Sequence, residues 1–531
     1  MTKRSLRLFG DAAVTVCGLE IAERAQLMAA LAASPPPGAV DVVAGAGSVT
    51  VIASSPDVDL ERLSGLLASM RLSPVSELDR GSHEIPVDFD GEDLGDVAAA
   101  LGAAQETVVA ALVASRLEVE MVGFVPGFAY LSGLPEELAS VPRRAVPRTR
   151  VPAGSVALGG GYAGIYPRAT PGGWRLVGRT ATVLFDPDRA PFARLAPGDE
   201  VRLVPAGSIG PEEPRSGRDL LTAREGAAAL VVVDRGSLST VQDLGRDGVA
   251  AVGVPRAGAA DARSARLANI AVGNRPESAV LEIAGTGPRL RLTEARNVVL
   301  VGEASLDVDG RRAAGDFVER VEAGQLVDVG AVASGARAYL AVAGGLEPPM
   351  AFGSRSSDLL AGLGPGPLLD GDAIALGAPG KSRARVEQPA LSGVLRVLRV
   401  EGEGNGEAVQ ALCGALFTVG AASDRTGVRL LTSRRLPSLG PVPGSVAMVT
   451  GAVQLLAGGD VICLGVDHPT LGGYPVPAVV ASVDAWQLGR LEPGDAVRFC
   501  EIDLETARSE WTRAAKLGRS QVSGWYPTAF A

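Results

Sequence analysis

Two ordered elements each occur twice in this chain, and their repetition limits the fold more than any other feature. Thr170-Pro171-Gly172-Gly173-Trp174 is followed by Pro197-Gly198-Asp199-Glu200-Val201-Arg202. Thr470-Leu471-Gly472-Gly473-Tyr474 is followed by Pro493-Gly494-Asp495-Ala496-Val497-Arg498. Gly371-Asp372, ahead of AIAL, repeats the last element more weakly. Each Gly-Asp reads as a tight turn entering a strand, with glycine supplying a positive φ. Pro-Gly-Asp is common turn chemistry, but two elements in the same order argue for related β-barrels. The 68 glycines and 36 prolines are spread along the chain, as turns between many short strands require.

Local patterns divide the chain further. Residues 1–80 read as a small α/β module of β-α-β-β-α order. LRLFGDAAVTVCG suits a strand, Ile21 to Ala33 a helix ended by Pro35-Pro36-Pro37, and Asp57 to Met70 a second helix with Leu60, Leu63, Leu66 and Leu67 at helical spacing. His83 to Val87 reads as a strand. Asp93 to Leu101 and Ala104 to Ala114 read as helices separated at Gly102. Short strands fill the rest of residues 81–205. Residues 206–226 are polar and rich in Pro and Gly, the composition of a linker. Residues 227–503 are again short strands and turns, with one helix at Asp261 to Ala271. A terminal helix at Glu505 to Lys516 and a tail complete the chain at 504–531.

Charge narrows the function. The formal net charge is −10, and lysine occurs only at Lys3, Lys381 and Lys516, so nothing attracts a phosphate backbone and nucleic acid is not an expected partner. Cys17, Cys413, Cys463 and Cys500 lack CxxC spacing and read as reduced core residues. With only His83 and His468 present, a site of three histidines from one chain is excluded. Asp11 interrupts the N-terminal apolar pattern, and no stretch approaches the roughly 20 apolar residues of a bilayer span. A cytoplasmic protein without membrane contact is therefore expected.

The densest motif is GFVPGFAYL (Gly123 to Leu131), followed by VPRRAVPRTRVPAGS (Val141 to Ser155), Gly164-Ile165-Tyr166-Pro167 and Thr170 to Trp174. It sets aromatic rings and proline-fixed backbone beside Arg143, Arg144, Arg148 and Arg150. Guanidinium forks among rigid turns suit a carboxylate or phosphate ligand; bracing of loops by surface acids is the plainer alternative. His83 could act as a general base near Glu92 and Asp93, or simply begin a strand.

The order HEIPVDF, GEDL, GFVPGFAYL, PRRAVPR, VPAGS, GIYP, TPGGW, GRT and FDP resembles the B-type component of the 5-oxoprolinase/urea amidolyase family, which is the carboxyltransferase C/D part. TVQDLGRDG, GVPRAGAAD, LANIAVGN, Leu281-Glu282, RAYLAVAGGL, GSRSSDL, SDRTGVRL, GAVQ, TLGGY and PGDAVRF resemble the C-type, A/B part. The resemblance implies a mainly β protein with an α/β N-terminal module and cyclophilin-like barrels, one in the first half and two in the second. It implies two fused subunits that shape a cleft between them.

It further implies an ATP-dependent hydrolase that opens a cyclic amide, 5-oxoproline, to glutamate together with a LamB/YcsF-type partner. ATP, with Mg2+, would be the cosubstrate. There is no Walker A motif, and no Met-Lys-Met site for biotin attachment. A homodimer is left open. The acid–base candidates are His83, Asp243, Glu282 and Asp424. Substrate and ATP contacts are expected from Phe124, Pro126, Phe128, Tyr130, Arg144, Arg148, Ser155, Gly172, Gly173 and Trp174 in the first half. In the second they are expected from Gln242, Arg246, Asn269, Asn274, Ser354, Arg425, Gln454, Thr470 and Tyr474. For each acid the alternative is a turn or cap, and for each asparagine capping. His468 stands where the family more often has Arg or Gln and is given no role.

The chain departs from the family pattern at Leu112 and Val113, at Gly364 to Leu368, at EGEGNGEA (Glu401 to Ala408) and at Ala260, which puts the substrate rather than the fold in question. A carboxyltransferase of a biotin-dependent urea or guanidine carboxylase, and a kinase-inhibitor-like regulatory binding protein, are the alternative readings.

Overall fold

The computed structural model describes residues 4–53, 55–72, 81–207, 221–313, 317–382, 390–440, 442, 444–456 and 458–523. Most of the expected linker and the tail after 523 lie outside the described residues.

The N-terminal module is a four-stranded antiparallel sheet in the order Ser5–Leu8, Ala13–Cys17, Ser48–Ala53, Ala39–Gly45. LRLFGDAAVTVCG forms two strands rather than one, because Gly10, at φ 73°, turns the chain between them. Helices Ile21–Ala33 and Leu60–Ser69 bury Leu27, Leu31, Leu60, Leu63 and Leu67 against Val14, Val16, Val49 and Val51. Asp59 caps the second helix by accepting from the Arg62 amide.

Residues 82–205 form a seven-stranded sheet curled around one core. A bridge between Asp88 and Arg179 draws its two edges together, so the barrel is nearly closed. Helices Leu94–Leu101 and Gln105–Ala114 cover one end, and Gly102, at φ 60°, separates them as expected. The C-terminal half holds two further barrels. In the first, a six-stranded and a five-stranded sheet enclose a single core, and bridges Leu346–Leu376 and Thr286–Ala331 join them. Helix Ala262–Ala271 lies on the five-stranded sheet, with Asp261 accepting from the Ser264 amide at its N-terminus. The second is a closed seven-stranded barrel. Glu401 to Ala408 enters helix Asn405–Cys413, which the sequence reading does not anticipate; Ala408, Val409 and Leu412 bury its inner face.

The sequence echo has a structural counterpart. In the first-half barrel and the last barrel alike, the final strand runs parallel to the first: Glu200–Pro205 beside Ser82–Val87, and Ala496–Glu501 beside Val394–Arg399. Thr170–Gly172 pairs with Arg148–Val151, and Leu471–Gly472 with Val446–Ala447, as matching two-stranded ribbons. At the Gly-Asp turns, Gly198, Gly371 and Gly494 all have φ between 90° and 99°. Asp199, Asp372 and Asp495 each accept from the amide three residues earlier. Of the four cysteines read as core residues, only Cys463 is buried, and Cys500 is exposed. Among the described residues no single helix is long and apolar enough to cross a membrane.

Candidate functional site

The GFVPGFAYL motif is the point where the parts of the chain meet. Phe128 is buried, with the rings of Phe124, Tyr130, Tyr166 and Trp174 edge-on at 5.6, 5.0, 5.2 and 5.4 Å. The cluster also takes in Val43 of the N-terminal module, Ala250 before the Ala262–Ala271 helix, and Ala447 and Leu471 of the last barrel. Gly127 donates to the Val252 carbonyl at 2.9 Å. A Cβ on Gly253 would lie 2.6 Å from the Val125 oxygen, and one on Gly172 2.4 Å from the Tyr166 hydroxyl. Phe124 holds φ 71°, a strained value for a residue with a Cβ. Pro126 and Ser155 are buried here too, and the Gly173 carbonyl accepts from the Arg144 amide. These residues dock the two halves onto one another.

The arginine forks are filled from within the chain. Asp93 accepts from Arg144 at 2.7 Å, from Arg148 at 2.9 and 3.0 Å, and from the Leu176 amide at 2.7 Å. Burial would raise the Asp93 carboxyl, but these donors hold it below its ordinary range. Arg143 lies over the Trp174 ring, 5.8 Å from its centre.

A buried charge network spans the seam between the two C-terminal barrels. Glu282 accepts from Arg425 at 2.6 Å, from the Ala260 amide at 2.8 Å and from the Tyr339 hydroxyl at 2.9 Å, and Arg337 lies 3.3 Å away. Burial pushes Glu282 up; the two guanidiniums and the amide outweigh it and leave the carboxyl below its ordinary value. Arg425 also forks onto Asp467 at 2.7 and 2.8 Å.

Asp243 accepts from Ser354 and Ser356 hydroxyls and from the Gly245 and Arg355 amides, which ties down the Ser354 turn. Arg246 is enclosed: it donates to the Ser356 carbonyl, and its Nη1 stands 3.9 Å from Asp358. Gln242 donates to Thr240 and to the Ser357 carbonyl. Asn269 and Asn274 bond to one another and brace the end of their helix against Ser278 and Val342. Asp424 accepts from the Thr426 and Gly427 amides in a turn. His83 meets Asp199 at 3.1 Å, within the first-half barrel. Gln454 donates to the Met448 sulfur, and Tyr474 is about half exposed. Of the four acid–base candidates, Asp243 and Glu282 hold neighbouring amides, the Asp243 main-chain carbonyl accepting from Ala259 and the Glu282 carboxylate from Ala260, but the two carboxylates bind different partners.

A cavity of about 1090 Å³ opens beside this network, between the N-terminal module, the Ala262–Ala271 helix, the last barrel and the C-terminal helix Leu504–Ser523. Of the binding residues expected from sequence, Thr470 lines it. Among the further lining residues that sequence reasoning did not select are Asp41, Arg256, Arg263, Arg266 and His468, with Asp247, Glu277 and Glu510 also on the wall. Arg256 lies within the GVPRAGAAD motif and His468 just ahead of TLGGY, whereas no quoted motif contains Asp41, Arg263 or Arg266. Asp41 accepts from the Ala250 amide at 2.8 Å, and burial, working against that bond, pushes its carboxyl up to about 6. Arg263 stacks over Trp486 at 5.2 Å. Burial, and then the neighbouring Arg256, pull the Arg266 guanidinium below its ordinary value. Among the described residues, no ion pair joins Arg263 or Arg266 to a carboxylate, and no group of three or more acidic, histidine or cysteine side chains is placed to hold a metal ion.

Two paired halves, each a carboxyltransferase-type barrel assembly, define the class of protein. Carboxyltransferase domain, subdomain A and B, matches residues 252–501, and subdomain C and D matches residues 6–195. The chain belongs to the carboxyltransferase-domain family that includes the B and C subunits of 5-oxoprolinase and urea amidolyase. It is 43% identical to the 5-oxoprolinase B subunit of Escherichia coli O157:H7 over 173 residues, 32% of this chain and 79% of the relative. It is 32% identical to the 5-oxoprolinase C subunit of Escherichia coli K12 over 298 residues, 52% of this chain and 93% of the relative. The crystal structure of TTHA0988 superposes with a TM-score of 0.83 at 35% identity, covering 92% of this chain and 99% of that one. The order of B-type and C-type parts expected from the motifs is therefore present in one polypeptide.

Proposed function

We propose that the chain is the joined B and C component of an ATP-dependent 5-oxoprolinase, or of a closely related amide hydrolase, and that it acts with a LamB/YcsF-type partner. One observation carries this reading: the B-type and C-type parts interlock around Phe128, and a single cavity is walled by both. Arg263 and Arg266, which face that cavity and among the described residues form no ion pair, fit the phosphates of ATP. Mg2+ would enter with the nucleotide. Holding an activated lactam and water side by side in an enclosed space supplies proximity and orientation. The test is direct: the chain, a co-encoded partner, ATP and 5-oxoproline are mixed, and glutamate and ADP are measured. Equimolar release supports the reading; no release with any co-encoded partner overturns it. Similarity to the urea amidolyase of Lachancea kluyveri, 29% identical over 315 residues but only 17% of that protein, keeps transfer of a carboxyl group from a separate biotin carrier as the second reading. Recovery of that carrier with the purified chain would favour it.

A further inference from the structure

The cavity holds one side chain that combines a fixed tautomer, rigid support and an open lone pair. His468 is 7% exposed. Its Nδ1 lies 2.8 Å from the Pro469 carbonyl oxygen. A carbonyl only accepts, so Nδ1 carries the proton, and in the neutral ring Nε2 is then a bare acceptor. Among the described residues Nε2 has no hydrogen-bond partner, and it is not among the fully enclosed unpartnered atoms. His468 borders the cavity, and we infer that Nε2 is the ring atom that faces it.

The loop that carries the ring is held on both sides. Val466 accepts from the Ala257 amide at 3.1 Å, which runs the Arg256 segment alongside it. Asp467 is gripped by Arg425, itself locked to Glu282. Thr470 accepts through its carbonyl from the Met448 amide at 2.9 Å. Asp467 is thus engaged elsewhere, and the group that orients the imidazole is the Pro469 carbonyl. The Thr470 hydroxyl oxygen, two residues on, is buried and has no partner of its own.

We propose that His468 is the proton acceptor of this cavity, taking a proton through Nε2 from a water or ligand N–H or O–H group whose anionic portion is held by Arg266 and Arg263. Burial pulls the imidazole below its ordinary value, against the Pro469 bond and the nearby Asp467 charge, and so keeps the ring neutral at pH 7. Resting on the hydrolase reading, the step is as follows. Nε2 takes a proton from water as the water oxygen bonds to the carbon of the O-phosphorylated amide. The imidazolium passes that proton to the lactam ring nitrogen, and the second water proton follows as the C–N bond breaks. The acyl phosphate so formed is hydrolysed by a second water to the carboxylate and phosphate. This gives the charge network a purpose: Glu282, Arg425 and Asp467 act as positioning residues that hold the base in place.

The chain contains only two histidines, so each can be followed in the full-length protein. With 15N-labelled histidine, His468 is expected in the Nδ1–H tautomer from pH 7 to 8. Diethylpyrocarbonate is expected to modify it despite its burial, with His83 as the internal reference. A proton on Nε2, or a His468 that resists the reagent while His83 reacts, would overturn the proposal. Neither measurement depends on turnover, so a chain that makes no glutamate defeats the hydrolase reading and leaves these results decisive for His468. Where the assembled enzyme is active, H468Q should lower kcat by roughly 100-fold or more with KM within about threefold, the range of lost acid–base catalysis. Imidazole should partly restore H468A. H468Q with an unchanged melting temperature and wild-type kcat would overturn the catalytic role.

Discussion

Arg425 and Glu282 meet at 2.6 Å across the seam between the two C-terminal barrels, where Glu282 is buried and Arg425 partly so. The contact comes from opposite barrels: Glu282 lies in strand Val280–Ala284, and Arg425 lies in the turn before strand Gly427–Leu431. Because Arg425 also clamps Asp467, one guanidinium joins both barrels to the loop that carries His468.

Replacing Arg425 by Met should therefore cost more than a surface pair. Glu282 would keep Arg337, Tyr339 and the Ala260 amide, and Asp467 would lose its fork. Removing one partner of a buried pair typically costs about 3–5 kcal/mol. Urea unfolding would measure the loss, and a midpoint unchanged from the wild type would contradict it.

Gly253 should not tolerate alanine. Its φ is 82°, and an added Cβ would meet the Val125 carbonyl of the opposite half at 2.6 Å. Backbone cannot swing aside as a side chain can, so the loops must part. A loss of about 1–3 kcal/mol is expected, with a visible change in the near-ultraviolet circular dichroism of the aromatic cluster.

Asp41 sets a pH dependence of known sign. Its folded carboxyl titrates at about 6, above the ordinary 3.8, so the folded state binds the proton more tightly than the unfolded chain does. Its contribution to stability is fully present below about pH 3.8 and is lost as pH rises through about 6. The melting temperature of D41N relative to wild type should climb from pH 4 to pH 7. A flat difference across that window would place the titration elsewhere.

Arg508 fastens the C-terminal helix to the N-terminal module, donating to the carbonyls of Asp11, Pro56 and Val58. R508A should free the helix while the barrels stay folded. Losing even one such charged bond, about 1.5 kcal/mol, should speed protease cleavage in the helix roughly tenfold where cleavage follows the open population.

What could be read from sequence follows the range of the forces involved. The Gly-Asp turns and the helix break at Gly102 are fixed by residues in direct succession, and they stand where turn chemistry puts them. The paired halves were legible from the order of motifs. The partners of Arg144 and Arg148 were not: Asp93 lies 51 and 55 residues upstream, and nothing local distinguishes a fork aimed at a ligand from one aimed at an internal carboxylate. The helix at Asn405–Cys413 was hidden by its glycines, because packing of Ala408, Val409 and Leu412 outweighs their low propensity. The cavity draws its wall from distant stretches, so Asp41, Arg266 and His468 become neighbours only when the barrels dock.

Asp11 accepts from the Ser482 amide and hydroxyl as well as lying under Arg508. The beginning of the folded chain is thereby buckled to its last barrel, and the polypeptide closes on itself like a belt. A belt cut opposite its buckle keeps its circumference. Two separate genes, divided within 208–220, should accordingly yield partners that find one another and rebuild the same particle.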